Sequence, residues 1–474
     1  MCEDTPAMRG VPSQLLLSEQ DSVFPGKVPL LGHLPVFFWS LWRAHGNLAS
    51  AFERLFLQAP QRTFRFKLGL QWFTLTIDPE VMHHILVTAF SHYTKTQHER
   101  DVLHPVLAGG LITAEGEEWK THRQIFRPFF GTDYLRRLIT FTREAVTDRV
   151  AQWHDMIDVG YEMQMVTFDI IARFFLGGKI GHFEGEKGLD AYVNHMIHIE
   201  KVIESRVFPL SRIKDLIIDY LNFNTHFHNS MRTIKGFIAH RIQKSSDEEL
   251  SVLRDLSQKL ESEDVIIEML NIISASFGSA YVITWICALL AQDHDRQKKL
   301  KTEILRFLSN RKNQQDITLE QIDQLTYLSA VIQEGLRLYP PAPYLIRTLA
   351  ADPAAPPIIL SIWSMHRHPA LWEQPEVFKP ERWLAAEGTA EVAPDTARQL
   401  RTFAPFLPFG AGPRMCIGRG FALIEIKLIL IDIMHRFTLR LVDPALPAAK
   451  ANVLTRPQRR IRLRVESVRD VQEA

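Results

Sequence analysis

Phe409-Gly410-Ala411-Gly412-Pro413-Arg414-Met415-Cys416-Ile417-Gly418 runs directly into a long apolar helical pattern, and no other stretch restricts the chain's shape as much. Its glycines permit tight turns and let backbone N–H groups come close to a neighbouring atom. The segment therefore reads as a loop that presents one cysteine at a helix N-terminus. Unpaired N–H groups and the positive end of the helix dipole collect there, and both favour a thiolate. Arg414 adds a nearby cation. A cysteine built in this way is either a reactive thiol or a metal ligand.

The other cysteines, Cys2 and Cys287, do not alter that reading. Three scattered cysteines make neither a disulfide framework nor a C-x-x-C zinc site. No C-x-x-C-H is present, so a covalently attached haem is not expected, and a reducing compartment fits. Lys and Arg number 55 against 54 Asp and Glu, a net charge of +1 that points to no nucleic-acid partner. Glu3 and Asp4 stand where a signal peptide would be basic. Val28 to Trp42 is apolar but broken by Pro29, His33 and Pro35, too short to span a bilayer. Phe37, Phe38, Trp39 and Trp42 are expected to pack on the core, with contact to a membrane surface as the alternative. The expectation is a cytoplasmic monomer without a transmembrane anchor.

Periodicity sets the architecture. Asn47 to Leu57 has helical spacing, Arg62 to Leu68 and Trp72 to Ile77 suggest a hairpin, and Pro79 to Thr88 a helix. From Glu117 to Leu308 helix follows helix, with Thr167 to Leu176 apolar nearly all round and Glu263 to Gln292 crossing the core. Gln321 to Leu338 and Gly418 to Arg436 read as further helices, Ala385 to Ala397 as a polar loop, and Arg456 to Val465 as a closing strand pair. The fold class is mainly α with a small β region. One domain covers residues 1–474, with a β-rich N-terminal lobe at about 25–95 and a helical core at about 117–440.

Two other pairs mean little in isolation. Glu334 and Arg337 lie one turn apart on a helix face, which alone reads as a surface ion pair. Trp119 and Arg123 also share a face, and alone read as core and solvent. His366-Arg367-His368-Pro369 lacks a third ligand and is assigned to structure.

Taken together, and in order along nearly the whole chain, these segments resemble the cytochrome P450 family. The cysteine loop matches its F-x-x-G-x-R-x-C-x-G signature at Phe409, Gly412, Arg414, Cys416 and Gly418. Glu334 and Arg337, followed by Tyr339-Pro340-Pro341, match its E-x-x-R helix and proline exit, and Pro380-Glu381-Arg382-Trp383 matches a further motif. Trp119 and Arg123 match W-x-x-x-R. The resemblance implies a single triangular domain that binds haem b, with Cys416 as thiolate ligand to iron. It implies that Trp119, Arg123, Arg414 and Arg347 reach the haem propionates, where an arginine fork suits a carboxylate. Glu334, Arg337 and Arg382 become a buried charge network that fixes the structure.

Two places depart from the family. The central helix should carry a small-Gly-x-acid-Thr segment for proton delivery, but Ser274 to Trp285, counted without gaps, puts Phe277 at the acid and Gly278 at the alcohol, whereas a gap sets Phe277-Gly278 at the start of the motif and leaves its acid and threonine absent. Ser279 is the substitute hydroxyl. Ala350 to Leu360, where the family has a Gly-containing hairpin, is about ten residues short. The function implied is a monooxygenase that inserts one oxygen atom from O2 into a bulky or elongated apolar molecule. With no reductase domain in the chain, a ferredoxin or flavodoxin with its reductase would supply electrons. Loss of the acid–alcohol pair keeps three alternatives open: a peroxide-driven enzyme, a dehydrating enzyme, or a non-catalytic haem or ligand binder. Lys95 to Leu111 and Ser274 to Ala280 would line the substrate pocket, and helices at 200–230 would form its lid.

Overall fold

The apolar periodicity of the chain is realised as helices, some of which start at side-chain caps. The computed structural model describes residues 23–28, 31–59, 61–178, 188–206, 225–244, 252–309, 317–352, 354–384 and 405–467. The Ala385 to Ala397 loop and most of the expected lid lie outside the described residues. Asn47 accepts the Ser50 N–H at 3.1 Å to start Leu48–Gln58, and Asp78 accepts from Glu80 and Val81 to start Pro79–His83. Residues His84–Thr88 continue that helix as one wider turn.

Ser262–Gln292 forms the central helix, 31 residues long. Among the described residues it alone is long and apolar enough to cross a membrane, but 83% of its most apolar window is buried inside the protein. Its hydrophobicity therefore serves the core. It packs against Val159–Phe175, Thr326–Leu338 and Arg419–Arg436, which we call the cysteine helix.

Ten strands are found among the described residues: β1 (Thr63–Leu68), β2 (Gln71–Thr76), β3 (Tyr93–Thr94), β4 (Met156–Asp158), β5 (Leu345–Leu349), β6 (Ile358–Leu360), β7 (Phe437–Leu441), β8 (Ala449–Ala451), β9 (Thr455–Pro457) and β10 (Arg462–Ser467). The largest sheet has the order β1-β2-β6-β5-β3. Its hairpin β1–β2 pairs Thr63 with Thr76 and Leu68 with Gln71. Beside it lies a core of Phe37, Phe52, Phe64, Phe66, Leu75 and Ile359, separate from the larger helical core.

The structure revises four expectations. β5 and β6 pair antiparallel, Leu345 with Leu360, so the short 350–360 segment still closes a hairpin. Gln321 to Leu338 is two helices, Leu319–Ile322 and Thr326–Leu338. The cause is tertiary, because the Glu303 carboxylate accepts the Tyr327 and Leu328 N–H groups, each at 2.8 Å, and caps a new helix start. Arg456 to Val465 does not pair with itself, since β9 joins β8 whereas β10 lies between β4 and β7. Finally, Leu34–Arg43 buries Phe37 but leaves Phe38, Trp39 and Trp42 exposed. One helix face is enough to cover the sheet, and among the described residues nothing covers Phe38, Trp39 and Trp42 on the other side.

Candidate functional site

The cysteine loop is closed by its own backbone. The Cys416 N–H donates to Phe409 O and the Met415 N–H to Gly412 O, both at 3.0 Å. Gly410 (φ 69°) and Gly412 (φ 68°) adopt the left-handed conformation that lets the chain double back. Gly412 is also pressed onto the turn after Pro79–His83, where a β-carbon would stand 1.9 Å from Leu86 O. That contact fixes the loop's height against the N-terminal lobe.

Cys416 opens onto a cleft of about 790 Å³ lined by Arg123, Arg127, Phe130, Gln333, Leu336 and Phe409 among others. Gly418 caps the cysteine helix, so the sulfur lies just ahead of its first turn. Burial raises the thiol above its ordinary value, while the Gly418 N–H, Arg123 and Arg419 pull it back. The helix-end preference for a thiolate is thus present but outweighed in the protein alone. A bound cation would complete the balance.

Beside the loop stands a group of cations. The Arg414 guanidinium lies 4.1 Å over the Trp119 ring, and Arg123 lies 5.7 Å from the same ring. Arg123 Nη2 donates to Met415 O at 2.9 Å, tying its helix to the cysteine loop. Glu115 joins Arg414 at 2.7 Å and Lys95 at 2.9 Å. Burial pushes Lys95 down to about 8 and Arg414 down to about 10. Arg347, on β5, is buried and donates to Ile346 O at 2.7 Å, and it acts electrostatically on Lys95, Glu99 and Arg414. Four cations around two carboxylates leave this wall net positive, which suits an acidic ligand. The sequence did not mark Lys95 or Glu115, since neither carries a pattern of its own.

On the far side of the loop Glu334 and Arg337 are fully buried. Arg337 donates from Nε and Nη2 to the two Glu334 oxygens, both at 2.9 Å. Glu334 also accepts from Trp383 Nε1 at 2.8 Å, Lys379 N at 2.9 Å and Arg382 Nε at 3.1 Å. Arg337 reaches His366 O and Pro375 O, each at 2.7 Å. His366 extends the network to the site. Its Nε2 accepts the Leu407 N–H at 2.9 Å, which assigns the ring proton to Nδ1, facing Arg337 O at 3.2 Å. The charge network therefore holds the segment that enters the cysteine loop.

On the central helix Gly278 faces Pro341, with its β-carbon position 3.5 Å from that ring. Ser279 faces the cysteine helix, where its hydroxyl acts on the Glu425 carboxyl. Glu425 is 1% exposed and its Oε1 has no partner. Burial pushes it up to about 8, so it is mainly protonated at neutral pH. The hydroxyl and a neutral acid stand together, but the acid comes from a different helix. Its place in the otherwise apolar stretch Phe421 to Ile431, which holds only Lys427 as a second charge, is a signal that the sequence offers. A carboxyl held above its usual 4.5 keeps its proton when folded and loses it when unfolded, so stability falls as pH rises from about 5 to 8. Glu425→Gln should abolish that slope, leaving the variant the more stable protein at pH 8. Urea midpoints measured across the interval check it.

A family model described as Cytochrome P450 matches residues 28–465. The chain is 27% identical over 413 residues to cytochrome P450 4X1 of Mus musculus, covering 79% of this chain and 78% of that protein. It is 27% identical over 437 residues to the chloroplastic cytochrome P450 97B1 of Pisum sativum, covering 78% and 77%. Against cytochrome P450 4A6 of Oryctolagus cuniculus the identity is 26% over 478 residues, covering 92% and 90%.

Proposed function

The chain belongs to the cytochrome P450 family, whose members bind haem b and act as monooxygenases, and on that premise we propose that Cys416 is its iron ligand. The observation that carries the reading is the placement of Cys416: it opens onto the cleft with the Gly418 N–H and Arg123 acting on its sulfur. The donor set fits the group, because a single thiolate suits iron and the cations beside it suit two propionates. Arg414, Arg347 and Arg123 would hold the propionates, with Trp119 as the platform beneath Arg414 and Arg123. Lys95, paired with Glu115, is a further donor beside them. When bound, the haem supplies oxygen activation for transfer of one atom to an apolar substrate.

The protein's own part is positioning and proton control. Gly412 and the Cys416–Phe409 hydrogen bond fix the sulfur. Ser279 and Glu425 take the place of the acid and alcohol that the family carries together on the central helix. Glu425 holds a proton at neutral pH beside the Ser279 hydroxyl. Phe277 and Tyr281 stack with ring centroids 6.3 Å apart and narrow the space on the same helix, which favours an apolar substrate. Electrons come from a separate protein, a ferredoxin or flavodoxin type, docking where Arg127, Arg419 and Lys427 rim the cysteine-side cleft.

The test is the absorption spectrum of the reduced, carbon-monoxide-bound protein. The wild type should give the red-shifted thiolate band, and Cys416→Ser should lose it while retaining its helical circular dichroism. An imidazole-type band in the wild type, or an unchanged band in Cys416→Ser, overturns the assignment.

A further inference from the structure

Glu268 and Asn271 are buried polar residues on the apolar central helix, three positions apart and on one face. Both take up the backbone of the turn between Gln97–Leu107 and Gly116–Phe126. The Leu111 N–H donates to Glu268 Oε2 at 3.2 Å and the Ile112 N–H to Asn271 Oδ1 at 3.0 Å. Asn271 Nδ2 in turn donates to Leu107 O at 3.0 Å. The turn is seated closely, since a β-carbon on Gly110 would stand 2.2 Å from Asn271 Nδ2. Backbone N–H groups pressed against a helix need acceptors, and these two side chains supply them.

Glu268 has a second partner. His122, on Gly116–Phe126, brings its Nδ1 to Glu268 Oε1, with 20% of the histidine side chain exposed and 1% of the acid's. That depth separates the pair from a screened surface contact. His122 is also the neighbour of Arg123, and adjacent side chains of a helix point about 100° apart. One is tied to the central helix, while the other donates to Met415 O of the cysteine loop at 2.9 Å. Two successive residues thus fix both the position and the rotation of the helix that carries Trp119. The hydrogen bond to Glu268 raises His122 above its ordinary 6.5, against the opposing effect of burial. Asp264 on the central helix and Glu118 on the helix of His122 act in the same direction as Glu268. Residues 107–112 bring no titratable side chain.

We propose that His122 is a positioning residue for haem: paired with Glu268, it latches the helix bearing Trp119 and Arg123, together with the 107–112 turn, to the central helix. The inference rests on the reading of Trp119 and Arg123 as holders of the propionates. Protonated, His122 gives the buried acid a charge-assisted partner, its only ion-pair partner among the described residues. Because the folded value is raised, this contribution is complete below 6.5 and is lost as pH rises through the raised value. Loss of the charge frees the face that carries Trp119 and Arg123. It does not open the cysteine loop, which is closed by its own backbone. Haem should therefore leave faster at high pH while the protein that still holds it keeps a thiolate band.

Haem transfer from the ferric holoprotein to apomyoglobin tests the proposal, with wild type and His122→Ala compared at matched pH. Titration of Lys95 and Glu425 is common to both proteins and cancels in the ratio of rates. The variant should lose haem about tenfold faster near pH 6 and at nearly the wild-type rate near pH 9. His122→Lys keeps its charge across the interval and should stay as slow at pH 9 as at pH 6. A ratio near one throughout overturns the proposal. So does a ratio that is the same at every pH, the mark of a purely structural side chain. Amide exchange at Leu111 and Ile112 in the full-length protein reads the latch without haem. His122→Ala should weaken protection there near pH 6, and unchanged protection overturns the latch. Weakened protection in a chain that never gives the thiolate band would sink the haem reading and leave the latch standing.

Discussion

Glu334→Gln should destabilise the folded protein by about 3–5 kcal/mol, the range for breaking a buried ion pair by removing one partner. The replacement keeps the shape of the side chain, so the effect isolates charge. Two guanidiniums lose their counter-charge: Arg337, with no exposed surface, and Arg382, whose side chain is 11% exposed. The glutamine also places an N–H group at one of the two oxygens to which Trp383 and Lys379 now donate. Denaturant unfolding monitored by circular dichroism measures the loss. Because Arg337 is linked through His366 to Leu407, the variant should also retain haem poorly. A stability within about 0.5 kcal/mol of wild type, the scale of a surface pair, would remove the network from the explanation of the fold.

Gly412→Ala should be nearly as damaging although it adds a single carbon. The left-handed backbone at φ 68° costs a non-glycine residue about 1–2 kcal/mol. The new methyl would stand 1.9 Å from a backbone oxygen, Leu86 O, which has no rotamer to change. Overpacking of this kind adds about 1–3 kcal/mol. Either the turn at Leu86 moves or the cysteine loop does, and both change the position of Cys416. The expected results are a lower melting temperature and a weakened or lost thiolate band with carbon monoxide. Gly420→Ala is the control, since its β-carbon would meet Leu135 Cδ1 at an ordinary 3.6 Å on a helix. It should be neutral. If Gly412→Ala is neutral too, the loop is softer than its contacts imply.

The residues that could be read in advance were those whose neighbours in the chain explain them. Cys416 announces itself because the glycines that shape its loop are within six residues of it. The long central helix follows from uninterrupted apolar residues. Glu334 and Arg337 were legible as a turn-spaced pair, but only similarity to the family suggested that they are buried, because spacing carries no information about depth. Glu425 was not singled out, because the Ser279 it stands beside lies 146 residues earlier on another helix. Lys95, Glu115 and Arg414 form a cluster across some 320 residues of chain, and no local rule joins them.

The sequence by itself determined the helical class, the glycine loop and the one cysteine able to take a metal, because these depend on backbone freedom and on periodicity along a single element. Tertiary structure decided the rest. It split the 321–338 helix by bringing Glu303 to its backbone N–H groups, closed a hairpin across a shortened segment, and set an acid beside Ser279. It also left Trp39 and Trp42 in contact with solvent. An amphipathic pattern states which face of a helix will be covered only when the other elements are in place, and burial is a property of those elements together.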